Sequence, residues 1–290
     1  MLRRMLVPLA LCLGALAGCH GLPSSPSASP PAAGSSTASS ASDPLANIER
    51  SLVFVPSRYP KGNWQPAGLA FQDAWFTAAD GTRLHGWYVP HKEARAVVLF
   101  CHGNGGNVAE WAEVLRILHD RQRVTVLGFD YRGYGRSEGT PSEAGVLSDA
   151  RAARTWLARR EGIAENRIVL MGRSLGGAVA VDLATDGARG LILESTFTSL
   201  PEVGQATMPS LPVAMSMRMS FNSLAKIGTY HGPLLQSHGT ADRLIPFAMG
   251  RRLFEAANEP KQFVAIQGGD HNDPQSEEYY AALSAFFDRI

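Results

Sequence analysis

Three residues of this chain have the types and the order that nucleophilic catalysis requires: Ser174, Asp242 and His271. A serine hydroxyl attacks poorly until a neutral imidazole takes its proton, and imidazole, with a reference pKa of about 6.5, suits that task near neutral pH. A carboxylate on the other ring nitrogen holds the imidazole in place and stabilises the imidazolium. Ser174 stands in Gly172-Arg173-Ser174-Leu175-Gly176, Asp242 in Gly239-Thr240-Ala241-Asp242-Arg243-Leu244-Ile245-Pro246, and His271 in Gly268-Gly269-Asp270-His271-Asn272. Asp270 and Asp273 rival Asp242 by closeness in sequence, but a carboxylate so near the histidine meets its ring awkwardly. The other histidines are weaker candidates for the base. His85, His91 and His119 fall on strands, turns or a helix surface, and His238 reads as structural within the Asp242 loop.

These side chains act together only if particular elements carry them. Ahead of Ser174, Arg167 to Met171 is an apolar, β-branched run expected to be a buried strand; behind it, Gly177 to Ala184 has the small residues of a helix packed closely on a sheet. Strand, Gly-x-Ser-x-Gly, helix is the context of a nucleophile elbow. The turn strains the serine backbone, and Gly172 and Gly176 give it room. Two backbone N–H groups are expected to form an oxyanion hole: that of Leu175 and that of Asn104, in the glycine-rich loop Cys101-His102-Gly103-Asn104-Gly105-Gly106-Asn107. This loop lacks the Lys-Ser/Thr ending of a phosphate-binding P-loop.

From Ala96 onward, apolar strands alternate with amphipathic helices, which predicts an α/β fold with a mostly parallel central sheet flanked by helices. Strands are expected at 96–100, 124–129, 167–171, 191–194, 233–237 and 262–266, and helices at 108–119, 142–160, 177–184, 247–257 and 277–287. Earlier in the chain, 52–55 is expected to be extended. Strands at 73–77 and 84–89 flank a turn, and the alternation of His85 to Tyr88 suits a half-exposed sheet edge. Serine, then acid, then histidine, each just past a strand, is the α/β-hydrolase order. Loops at the carboxyl ends of parallel strands share one edge of the sheet, so distant residues can meet there.

The segment 196–232 interrupts this rhythm with Pro201, Pro209, Pro212, Met208, Met215, Met217 and Met219. Methionines suit an adaptable apolar surface, so the segment is expected to be a cap over the site, either an acyl-binding lid or a helical cover for the sheet.

The N-terminus has a different role. Arg3 and Arg4 precede an apolar stretch of about thirteen residues, short for a membrane span and right for a signal peptide. It ends in Leu16-Ala17-Gly18-Cys19, which resembles a bacterial lipobox and implies a leader at 1–18, cleavage before Cys19 and lipid on its thiol. His20 rather than Asp after Cys19 favours an outer membrane, where the host has one. Residues 19–47, rich in Ser, Pro and Ala, form an expected tether with a reach of about 25–30 Å. Cys12 would leave with the leader, so Cys101 alone would remain, a buried apolar side chain rather than a nucleophile. Hydrophobic content is 45%, charged content 18% and net charge +1, which gives no reason to expect a nucleic-acid partner.

The loop Cys101 to Asn107, the run Asp130-Tyr131-Arg132-Gly133-Tyr134-Gly135-Arg136-Ser137-Glu138-Gly139 and the elbow Gly172 to Gly177 together resemble the Bem46-type α/β-hydrolases, a group similar to the eukaryotic ABHD-type serine hydrolases with domain numbers 13 and 17. The resemblance runs over 48–290 and implies that the family acid and histidine are Asp242 and His271. It implies no metal and no organic cofactor, and it leaves the substrate open. The expectation is a lipid-anchored serine hydrolase acting on carboxylic esters or thioesters. A serine aminopeptidase would share the fold and triad but need a charged site for a peptide terminus. A non-catalytic scaffold would not need an intact Ser–Asp–His set.

Overall fold

The computed structural model describes residues 43–290 apart from 211. The expected leader, Cys19 and the tether as far as 42 lie outside the described residues. The chain divides into two units, Met1–Ile48 and Glu49–Ile290. The tether was expected to run to 47, yet helix α1 (Pro44–Val53) starts earlier. Its start is local chemistry: Asp43 accepts the N–H of Leu45 at 3.0 Å, and Pro44 brings a helical φ to the first turn. Leu52 and Val53, expected to be extended, therefore close a helix.

After α1 come strands β1 (Val55–Pro56), β2 (Gln72–Thr77), β3 (Arg83–Val89), β4 (Val97–Cys101) and β5 (Gly105–Gly106), then helix α2 (Ala112–Arg116) and strand β6 (Thr125–Asp130). Helix α3 (Glu143–Glu161), strand β7 (Val169–Arg173), helix α4 (Leu175–Ala184) and strand β8 (Gly190–Glu194) lead to helices α5 (Leu200–Thr207), α6 (Val213–Ser216) and α7 (Ser223–Ile227). The chain closes with β9 (Leu234–Gly239), α8 (Phe247–Ala256), β10 (Lys261–Ile266) and α9 (Glu277–Arg289). The long helix α3 is bounded as its sequence dictates. Ser142 accepts the N–H of Gly145 at its start, and Gly162 ends it in the left-handed region with φ 67°. The helix expected at 108–119 is instead three short pieces, with a tight turn at Val108–Trp111 before α2 and a wide one at Ile117–Arg121 after it.

Among the described residues the main sheet has eight strands in the order β10-β9-β8-β7-β4-β6-β3-β2. Pairing is parallel from β10 to β6 and antiparallel at β6–β3 and β3–β2. Strand β3 is not the half-exposed edge that its alternation predicted. It lies between β6 and β2, and Trp64 and Phe71 cover Trp87 from outside the sheet. Each inner strand alternates between two apolar cores. In β4, Leu99 and Cys101 face the core under α3 and α4, while Val98 and Phe100 face the core under α2 and α9. Each buried aliphatic side chain contributes about 1.5–3 kcal/mol to that arrangement.

The segment 196–232 folds into the three short helices α5 to α7. Met217 and Met219 pack against the first core, while Met215 is 90% exposed.

Candidate active site

The elbow is built by close packing. Ser174 adopts φ 54° and ψ −120°, a conformation that non-glycine residues rarely occupy. Its N–H bonds to the Glu194 carbonyl at 2.9 Å, and its own carbonyl accepts the Thr196 hydroxyl at 2.8 Å and the Gly177 N–H at 2.9 Å. The flanking glycines are required sterically. A Cβ on Gly172 would sit 2.1 Å from the Gly176 carbonyl oxygen, and one on Gly176 would sit 2.0 Å from that of Cys101. Strand β7 and helix α4 thus meet at backbone contact.

The structure brings Ser174, His271 and Asp242 together. His271 Nε2 lies 3.1 Å from Ser174 Oγ, and His271 Nδ1 lies 2.8 Å from Asp242 Oδ2. The two loops that supply acid and histidine run against each other past the ends of β9 and β10. Ala241 N–H bonds to the Gly269 carbonyl at 3.0 Å, and Gly268 N–H bonds to the Thr240 hydroxyl at 2.8 Å. Asp242 Oδ1 accepts the N–H groups of Leu244 and Ile245 at 2.9 and 2.8 Å. Burial alone would raise the pKa of Asp242. Hydrogen bonds from His238, His271 and the Ile245 backbone outweigh it and hold the carboxyl below the usual carboxylate range. The group facing His271 is therefore a charged acceptor at neutral pH, which fixes the proton on Nδ1 and leaves Nε2 free to take one from Ser174.

The rival acids occupy other roles. Asp270 accepts the N–H groups of His271 and Arg243, and Asp273 accepts the N–H of Asp270. Both shape the histidine loop from its backbone.

Of the expected oxyanion donors, Leu175 opens α4, where its N–H has no acceptor within the helix and the dipole's positive end lies. Asn104 sits in a loop pinned beside the nucleophile: a Cβ on neighbouring Gly103 would lie 3.7 Å from Ser174 Cβ. The Asn104 carboxamide donates to the Val53 carbonyl at 3.1 Å, and its own carbonyl accepts Val55 N–H and the Tyr134 hydroxyl. Its backbone N–H is the group left to offer. Cys101 is fully buried and burial pushes its thiol far above the ordinary range, as an inert core side chain requires.

Three contributors were given no part in the site by the sequence: Arg173 and Thr196 were passed over, and His238 was read as structural. Arg173 donates to the carbonyls of His271 and Asp273 at 2.8 and 3.1 Å, so the residue before the nucleophile fastens the histidine loop. Its other arm lies 3.8 Å from Glu194, whose pKa burial raises against the opposing pull of that guanidinium. Thr196 pins the elbow carbonyl. His238 reaches Asp242 at 3.3 Å. Arg173 had a signal in its position beside Ser174; Thr196 becomes a neighbour of the site only once strands β7 and β8 are paired, and the contact of His238 with Asp242 forms only when the loop after β9 folds back. Among the described residues no group of three or more His, Cys, Asp or Glu is placed to hold a metal ion.

Residues 98–263 match the family model described as alpha/beta hydrolase family. An uncharacterized protein of Mycobacterium tuberculosis is 40% identical over 230 residues, covering 78% of this chain and 82% of its own. The alpha/beta hydrolase domain-containing protein WAV2 of Arabidopsis thaliana is 34% identical over 258 residues, covering 79% and 83%. Among solved structures, a Pyrococcus furiosus esterase superposes with a TM-score of 0.69 at 22% identity over 82% of this chain and 98% of its own, a likeness of fold. Sheet order, elbow and relatives agree: the chain belongs to the alpha/beta hydrolase family and is a hydrolase enzyme.

Proposed function

We propose that the enzyme cleaves carboxylic ester or thioester bonds through an acyl-Ser174 intermediate. The observation that carries this reading is the unbroken chain from Ser174 Oγ to His271 at 3.1 Å and on to Asp242 at 2.8 Å, on a strained elbow. Ser174 Oγ attacks the acyl carbon as His271 Nε2 takes its proton. The N–H groups of Leu175 and Asn104 receive the charge on the carbonyl oxygen. His271 then protonates the leaving alcohol or thiol, and a water activated by the same imidazole releases the acid. Esterases among the solved neighbours, including an acetyl xylan esterase, support the ester reading. The test is labelling by a fluorophosphonate probe: the wild type should carry the label on Ser174, and labelling that persists in Ser174→Ala would remove the nucleophile assignment.

The finer reading is a Bem46-type, membrane-anchored lipoprotein acting on acyl or lipid-like substrates. The three quoted motifs support the branch, and the Leu16-Ala17-Gly18-Cys19 run supports the anchor. Cys19→Ala should release the protein from membranes while leaving ester hydrolysis intact. Unchanged membrane association would count against the anchor.

A further inference from the structure

We propose that His238, a second histidine on the acid of the triad, is a positioning residue that locks the Asp242 carboxylate in the orientation His271 needs. His238 is fully buried near the end of β9, four residues before Asp242. Its Nε2 lies 2.9 Å from the Ile245 carbonyl oxygen and 3.3 Å from Asp242 Oδ2. Both neighbours are acceptors, so Nε2 must carry the proton and donate. Nδ1 is buried with no partner, and a second proton there would be stranded. His238 is therefore a neutral donor, fixed in one tautomer by its surroundings.

The consequence falls on Asp242. Its Oδ1 is held by two backbone N–H groups, and its Oδ2 is shared between His271 and His238. A carboxylate held at one oxygen alone could swing its other oxygen out of line with Nδ1 of His271. With His238 on Oδ2, both oxygens are fixed, and the ring also ties that oxygen to the backbone of Ile245.

Helix α8 independently marks the ring's place. Gly250 lies inside α8, where glycine costs about 1 kcal/mol relative to alanine. A Cβ there would sit 2.2 Å from His238 Nδ1. The helix carries a glycine where the imidazole needs the space. Its nearest neighbours from the adjoining elements are uncharged: Phe247 of α8, with ring centroids 6.0 Å apart, and Ala265, its strand partner in β10. Among the described residues, the ionisable groups that face His238 are Asp242 and, across its carboxylate, His271.

This inference rests on the Ser174–His271–Asp242 reading, and hydrolysis of p-nitrophenyl acetate tests the two separately. Activity surviving in Ser174→Ala would overturn the triad and with it the ground for His238. With the triad standing, His238→Phe keeps the ring and removes the donor. It should lower kcat about tenfold, the worth of one hydrogen bond to a charged group, with KM within about twofold. Losing a donor makes the carboxylate a stronger partner for the imidazolium. The acid limb of kcat/KM should therefore move up by about half a pH unit, which a merely structural loss would not do. His238→Gln can return an N–H near the same place and should restore most of both quantities. Gly250→Ala pushes the ring from the helix side without touching any donor and should reproduce the loss in kcat. Wild-type kcat and pH profile in either His238→Phe or Gly250→Ala would overturn the proposal. So would a His238→Gln enzyme no better than His238→Phe.

Discussion

The elbow and the cap are built on opposite principles although they leave the same edge of the sheet. Around Ser174, backbone meets backbone, every residue of α4 is buried, and the glycines leave no room for a methyl group. Between Glu194 and Pro233 the helices are short, no residue of α5 or α6 is fully buried, and one methionine side chain stands in solvent. Interiors packed like crystals transmit small displacements, whereas loosely covered surfaces absorb them. The candidate nucleophile is placed where the protein cannot give, and the cap is packed where it can.

The largest effect that would test this contrast is at the nucleophile. Ser174→Ala should lower turnover by about six orders of magnitude, as in serine hydrolases whose catalytic unit is broken. Retention of more than about one part in a hundred would mean that the elbow does not hold the reacting atom.

Next comes the same substitution made in both regions. In Gly176→Ala the new methyl would meet the Cys101 carbonyl at 2.0 Å, backbone that cannot move without opening the elbow. A loss of about 3 kcal/mol or more is expected, with activity falling alongside. In Gly204→Ala, within α5, the nearest atoms are Met217 Sδ and Val213 Cγ1, both at 3.0 Å and both at the ends of side chains. A gain in helix propensity of about 1 kcal/mol offsets their adjustment, so stability should stay within about 0.5 kcal/mol of wild type. Thermal unfolding of the two variants reads the difference. Equal losses would erase the distinction between the regions.

The acid side of the rate profile tests how the triad is charged. Asp242 has its pKa depressed, so it is ionised well below neutrality and does not titrate where imidazole does. As pH falls, kcat/KM should drop with the slope of a single proton, the one taken up by His271. A two-proton slope would show that the carboxylate is not held as its four N–H donors imply.

The site was legible in the sequence to different depths. Ser174, Asp242 and His271 were visible because parallel-sheet topology places every strand's carboxyl end on one edge, so order along the chain was enough to bring them together. Arg173 and Thr196 were not, since their roles depend on which carbonyl lies above a strand end after pairing. His238 was seen but read as structural, because sequence gives no hint that its ring would stop 3.3 Å from Asp242 Oδ2. In the fold, β3 was misplaced for a related reason. Alternation reports one exposed face, yet Trp64 and Phe71 from a loop cover the face that the pattern left open. The start of α1 was missed because Ser/Pro/Ala composition dominated the reading, although Asp43-Pro44 is a local helix signal.

The smallest expected effect separates two methionines of the cap. Met217 packs against the core and lies beside Gly204, whereas Met215 is 90% exposed. Met217→Ser removes buried apolar surface and should cost about 1–2 kcal/mol. Met215→Ser removes nothing from the folded protein's interior, so its stability should not move by more than about 0.5 kcal/mol. If the enzyme acts on acyl chains, an exposed methionine of the cap is a side chain free to meet them, since its thioether adapts to different shapes. Each substrate methylene buried against it is worth up to about 0.8 kcal/mol, or about fourfold in kcat/KM. Met215→Ser should therefore leave a two-carbon ester unaffected and lower kcat/KM a few-fold for esters of longer acids. An unchanged chain-length profile, alongside unchanged stability, would show that Met215 serves neither the fold nor the substrate and that the cap covers the sheet and nothing more.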